Sequence, residues 1–133
     1  MVLFKQLSKE IIQTPDAPRA IGTYSQGVIF SDLVFTSGQI PVDVKTGKLI
    51  SGNFKLEVAQ VLNNLQGVLI SGGSSLEAAI KLTVFLTDIS KFSEVNEIFS
   101  DFFPNDPPAR SAVEVSALPM NSRIEIEAIG YIG

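Results

Sequence analysis

Two side chains in residues 107–128, which read PPARSAVEVSALPMNSRIEIEA, ask for a chemical explanation. Arg110 stands behind a rigid Pro107-Pro108-Ala109 brake, at the mouth of an alternating segment, and is one of three arginines in the chain. A guanidinium is a fixed planar fork that matches a carboxylate through two parallel hydrogen bonds. Glu125 lies between Ile124 and Ile126, inside a segment that otherwise reads as core. A carboxylate held at such a place can take a proton from water and return it. Each has a plainer reading. Arg110 can be a strand-end cation paired with a surface carboxylate, and Glu125 with Glu127 can be a solvated strand edge.

The totals narrow the chemistry. The chain has 133 residues, 45% hydrophobic and 18% charged, which suits one compact domain spanning 1–133. With no cysteine there is no disulfide, thiol nucleophile or thiolate metal site, and with no histidine the commonest general base and metal ligand is missing. No Asp-x-Asp-x-Asp-Gly spacing supplies an all-carboxylate metal loop. A net charge of −4 and a pI near 4.7 argue against nucleic acid as a partner. The first residues lack the charged and apolar regions of a signal peptide, and no apolar run reaches bilayer length. The chain therefore reads as cytoplasmic, with no membrane partner.

The elements that must position Arg110 and Glu125 follow from periodicity. Residues 2–7 suit a first strand. Residues 28–30 and 33–35 form a hairpin about Ser31-Asp32. Residues 54–70 carry Val58, Val61, Leu62, Leu65, Val68 and Leu69 on one helical face, capped near Asn53 and stopped by Gly72-Gly73. Ser74-x-x-Glu77 fits a capping box for a short helical turn. Residues 79–87 alternate, with Ile80, Leu82, Val84 and Leu86 on one side. A second helix runs from about Lys91 to before Pro104, with Phe92, Phe99 and Phe102 in its core stripe. Residues 111–117 and 123–129 are two further strands, turned by Pro119-Met120-Asn121-Ser122. The order β-β-β-α-β-α-β-β predicts an α+β fold: a mixed sheet with two helices packed on one face. An apolar opposite face is expected to be covered by further copies of the chain.

PPARSAVEVSALP with RIEIEAI resembles the terminal signature of the RidA family, also called YjgF. IGTYSQG, NNLQGVL, FTSGQIP and LTVFLTDISKFSEVNEIFSDFF fit the same pattern, so the resemblance covers nearly the whole chain. It implies a chorismate-mutase-like fold, a homotrimer with clefts between subunits, and no cofactor. It also implies hydrolysis of reactive 2-imino and enamine acids, such as 2-iminobutanoate and 2-iminopropanoate, to 2-oxo acids and ammonia. Transferred residue by residue, Arg110 holds the substrate carboxylate and Glu125 orients or activates the attacking water. Tyr24, Ser37, Gly38 and Asn96 shape the cleft. Ala112 stands where the family commonly has cysteine.

A simple hairpin of the last two strands would set Arg110 and Glu125 roughly 16 Å apart along the sheet, beyond the span of one small imino acid. Either those strands are not neighbours, or a second chain completes the site. The alternative to catalysis is a binding module of the same fold, taking small carboxylates or a protein partner.

Overall fold

The computed structural model describes residues 7–133. All but the last residue of the strand expected over 2–7 lies outside that range. The first described strand is β1 (Glu10–Ile12), where Ile12 alone is buried. β2 (Gly27–Phe30) and β3 (Leu33–Thr36) form the expected hairpin, with Ser31 in the left-handed region at the tight turn.

Helix α1 (Phe54–Ser71) begins where the Asn53 side chain accepts the Leu56 N–H at 3.1 Å. Gly73 ends it, with φ of +89°. The short helical turn expected after Ser74 is present as two bonds, Ala78 N–H to the Ser75 carbonyl at 3.2 Å and Ala79 N–H to the Leu76 carbonyl at 3.0 Å. Ser75 rather than Ser74 caps it, its hydroxyl accepting the Ala78 N–H at 3.1 Å, and no helix follows. Strand β4 (Ala79–Leu86) buries Leu82, Val84 and Leu86, as alternation predicts. Ile80 is instead exposed, because a bulge between Ala79 and Lys81 shifts the phase by one residue.

Asp88 caps a short 3₁₀ turn, and α2 (Phe92–Phe102) follows. β5 (Ala109–Glu114) ends earlier than expected, and β6 (Ile124–Tyr131) runs later.

The sheet order is β1-β2-β3-β6-β4-β5. β6 is antiparallel to both β3 and β4, whereas β5 is parallel to β4. β5 and β6 are therefore not a hairpin. Helix α2 carries the chain from β4 to β5 as a parallel crossover, which puts β5 on the sheet edge. Both helices cover one face, where Val58, Leu62 and Leu65 meet Leu82, Val84, Ile124 and Ile126 in a dry core. The other face carries exposed Ile11, Phe30, Phe35, Val113 and Tyr131. Among the described residues no helix is long and apolar enough to cross a membrane.

Candidate functional site

The sheet sends the candidate residues to two places. On β6, Ile124 and Ile126 point into the core, so Glu125 between them points to the open face. Residues 37–40 lie alongside it: the Gln39 N–H donates to the Ile126 carbonyl at 2.9 Å, and the Ile126 N–H returns to Gln39 at 3.1 Å. That bridge brings Gly38 onto the glutamate. A Cβ at Gly38 would stand 2.7 Å from Glu125 Oε2, so only glycine permits the approach undisturbed.

Burial pushes the Glu125 carboxyl above the usual carboxylate range, and the nearby Glu127 charge adds to the rise. Glu125 is thus no solvated edge: β6 is an inner strand, and Glu127 is the exposed member of the pair.

Ser37 ties this loop down. Its hydroxyl donates to the Ser25 carbonyl at 2.5 Å, and its N–H donates to the Gln26 carbonyl at 2.9 Å. Tyr24 is half exposed, and its hydroxyl accepts the Ile21 N–H at 3.2 Å. Tyr24 and Gly38 both line a groove of about 940 Å³, with Arg19, Ile21 and Met120 among its other walls.

The second place is the helix side of the far edge. Arg110 pairs with Leu82 in the parallel register, so it shares the buried face and turns toward α2. Its guanidinium lies 4.8 Å from the centroid of Phe92 and 5.1 Å from that of Phe99. The phenylalanine stripe therefore has a second duty besides core packing: it seats this cation. Among the described residues of this chain no carboxylate comes within 4.0 Å of Arg110, so its expected strand-end ion pair is not formed within the chain. Burial lowers its pKa, and the group stays charged. Asn96 projects from the same helix between Phe92 and Phe99 in sequence, exposed to solvent. Ala112 follows Arg110 on the same face, opposite Val84 and packed against the core.

Arg110 and Glu125 thus flank β4, opposite Leu82 and Phe85 respectively, and project to opposite faces. Along the strand they are about 10 Å apart and across it about another 10 Å.

Two arrangements had escaped the sequence reading. The Glu57 carboxylate, 2% exposed, takes a two-pronged bond from Arg123 through Nε and Nη2. This pair raises the arginine's pKa, chiefly by the hydrogen bond to Glu57. Its signal was a glutamate beside Val58 within an apolar helix stripe. Gln26, 4% exposed, bonds three carbonyls and one N–H of residues 14–18. It lies within IGTYSQG, but of that motif only Tyr24 stands out as a site residue, because a glutamine before a strand is unremarkable by type.

Residues 14–132 match the family described as Endoribonuclease L-PSP. The human 2-iminobutanoate/2-iminopropanoate deaminase is 43% identical over 127 residues, covering 96% of this chain and 93% of that protein. The solved structure of the YjgF gene product of E. coli superposes with a TM-score of 0.88 at 40% identity, covering 92% of this chain and 98% of the other. E. coli TdcF, solved with bound serine, gives the same TM-score of 0.88 and 40% identity, covering 93% and 99%. The chain belongs to the RidA/YjgF family, the one also described as Endoribonuclease L-PSP.

Proposed function

We propose that the protein is a cofactor-independent deaminase that hydrolyses reactive 2-imino and enamine acids to 2-oxo acids and ammonia. The observation that carries this reading is Arg110: a partly buried guanidinium, stacked on two aromatic rings and without a carboxylate partner among the described residues. It offers its fork to a ligand carboxylate, in charge-assisted bonds worth about 1.5–3 kcal/mol each.

The chemistry asks little more. An enamine first tautomerises to the imine, whose protonated C=N carbon is electrophilic. Glu125 takes a proton from water as the oxygen bonds to that carbon, giving a carbinolamine. It then returns the proton to the nitrogen. As the C–N bond breaks and ammonia leaves, the same carboxylate takes the remaining hydroxyl proton, the C=O of the 2-oxo acid forms, and the proton passes on to ammonia as ammonium. A carboxyl whose pKa is pushed up by burial is closer to the balance between taking and giving a proton at neutral pH. Tyr24, Ser37, Gly38 and Asn96 shape the cleft, and Ala112 packs beneath Arg110 with no thiol to contribute.

One small substrate reaches Arg110 and Glu125 together only if they come from different protomers, since within a chain they face opposite ways. The reading is accordingly a homotrimer with clefts between subunits, its exposed sheet face buried in the assembly. The serine bound to TdcF, a relative at 40% identity, also favours a second reading, a binding module for small amino-acid-like carboxylates.

A coupled assay separates the two. A pyridoxal-phosphate threonine dehydratase generates 2-iminobutanoate in the presence of semicarbazide. The protein should suppress semicarbazone formation and Arg110→Ala should not. If the wild type leaves the semicarbazone yield unchanged yet binds 2-oxobutanoate, the binding module is the correct reading.

A further inference from the structure

We infer that Gln26 is the positioning residue that joins the two walls of the Tyr24–Gly38 groove. The inference takes the deaminase reading for what the groove does, and stands on geometry alone for how it is held.

Segment 13–26 contains no helix or strand, and Pro15 and Pro18 remove two of its N–H donors. Thr14 and Ala17 are nonetheless buried, so their carbonyls need donors from elsewhere. Gln26 supplies them. Its Nε2 donates to the carbonyls of Pro18 at 2.8 Å, Thr14 at 3.1 Å and Ala17 at 3.3 Å, two N–H groups shared among three acceptors. Its Oε1 accepts the Thr14 N–H at 2.7 Å, which fixes the orientation of the amide. The side chain thus acts as a strand neighbour for a segment that cannot join the sheet.

The same residue reaches the other wall through its backbone. Its carbonyl accepts the Ser37 N–H at 2.9 Å, one residue before Gly38 and the Glu125 carboxylate. On the first wall the clamp ends at Pro18. The next residues, Arg19 to Ile21, close onto the Tyr24 hydroxyl through the Ile21 N–H. One glutamine therefore sets the spacing between Tyr24 and Arg19 on one side and Gly38 on the other, without lying at the reacting atoms.

The test uses two near-isosteric variants of the full chain. Gln26→Met removes the four side-chain bonds to residues 14–18 and leaves the backbone bond to Ser37 in place. Hydrogen exchange of residues 14–21 should rise on the order of ten-fold. KM for 2-iminobutanoate should rise roughly ten-fold, with kcat held within about three-fold. Gln26→Glu keeps the acceptor for Thr14, and when protonated it donates one O–H to Pro18. When ionised it faces three carbonyls with no donor. The ratio of its KM to the wild-type value at the same pH should approach unity at acidic pH and climb as pH rises, whereas the ratio for Gln26→Met, which shares Glu125 with the wild type, should stay constant.

Faster exchange with an unchanged KM in Gln26→Met would overturn the inference, because the wall would be held but not used. A KM ratio of Gln26→Glu to wild type that does not change with pH would overturn it too. If the wild type hydrolyses no imine, the deaminase reading fails separately, and 2-oxobutanoate binding then decides. In a Tyr131→Phe background Tyr24 is the sole tyrosine, and there is no tryptophan, so its fluorescence reports the groove. Weaker binding after Gln26→Met upholds the clamp; equal binding removes it.

Discussion

Replacing Gly38 by alanine should damage catalysis far more than folding. The backbone at Gly38 lies outside the left-handed region, so alanine can adopt it without strain. The added methyl would stand 2.7 Å from Glu125 Oε2, 2.8 Å from Cδ and 2.9 Å from Cγ. Ordinary contact begins near 3.4 Å, so the carboxylate must retreat by about 0.7 Å. It is the far end of a flexible side chain, and a rotation of some 30° off its rotamer costs about 0.5–1.5 kcal/mol. That should lower the Tm by roughly 2–8 °C. The chemical consequence is larger, since a 1 Å misplacement can cost about 10²-fold, and kcat should fall roughly 10- to 100-fold. Calorimetry and the coupled imine assay, run on the same preparation, measure both. Activity within about two-fold of wild type would refute the reasoning, because Glu125 would then act without its observed position. Unfolding in parallel with inactivation would refute it in the other direction.

Glu125→Gln should lower imine hydrolysis by about 10²–10⁴-fold. It should also stabilise the fold at neutral pH. The raised carboxyl favours the folded state fully below its unfolded pKa of about 4.3, and that contribution is lost as pH rises through the folded value. Urea melts should therefore show the variant gaining on the wild type between pH 4 and pH 8. Arg110→Lys keeps the charge but loses the fork, and KM should rise roughly ten-fold, with the lysine giving no rescue relative to methionine. Arg123→Met leaves the Glu57 carboxylate, 2% exposed, without its partner, and should cost about 3 kcal/mol in urea unfolding. Adding Glu57→Leu should recover most of that loss, as replacement of a whole buried pair usually does.

Local signals were readable where the chain itself decides the structure. The Asn53 cap, the glycine stop of α1 and the Ser31 turn each depend on a few adjacent residues, and each lies where the pattern put it. What failed depends on distant partners. Residues 109–114 and 124–131 both alternate, and nothing in alternation says that one joins β4 in parallel while the other enters the middle of the sheet. The bulge that exposes Ile80 is likewise a property of its pairing with Gly130 and Ile129, not of its neighbours in sequence. Arg110 and Glu125 stood out by residue type, but the sides they face follow from register. Gln26 did not stand out, because its value lies in backbone groups that carry no residue signature.

The place of β6 has a consequence for how the molecule comes into being. It is the last strand in chain order, yet it lies between β3 and β4. Until residues 124–131 leave the ribosome, the sheet can exist only as two ribbons, β1-β2-β3 and β4-β5, each with an edge of unpaired backbone groups waiting for the same insert. Domains assemble as their non-local pairings become available, and here the closing piece also delivers Glu125. A nascent chain thus cannot set Glu125, the proposed acid–base group, in place before β6 has joined β3 to β4. A ribosome stalled short of residue 124 holds two unpaired edges, the species a chaperone would be expected to recognise.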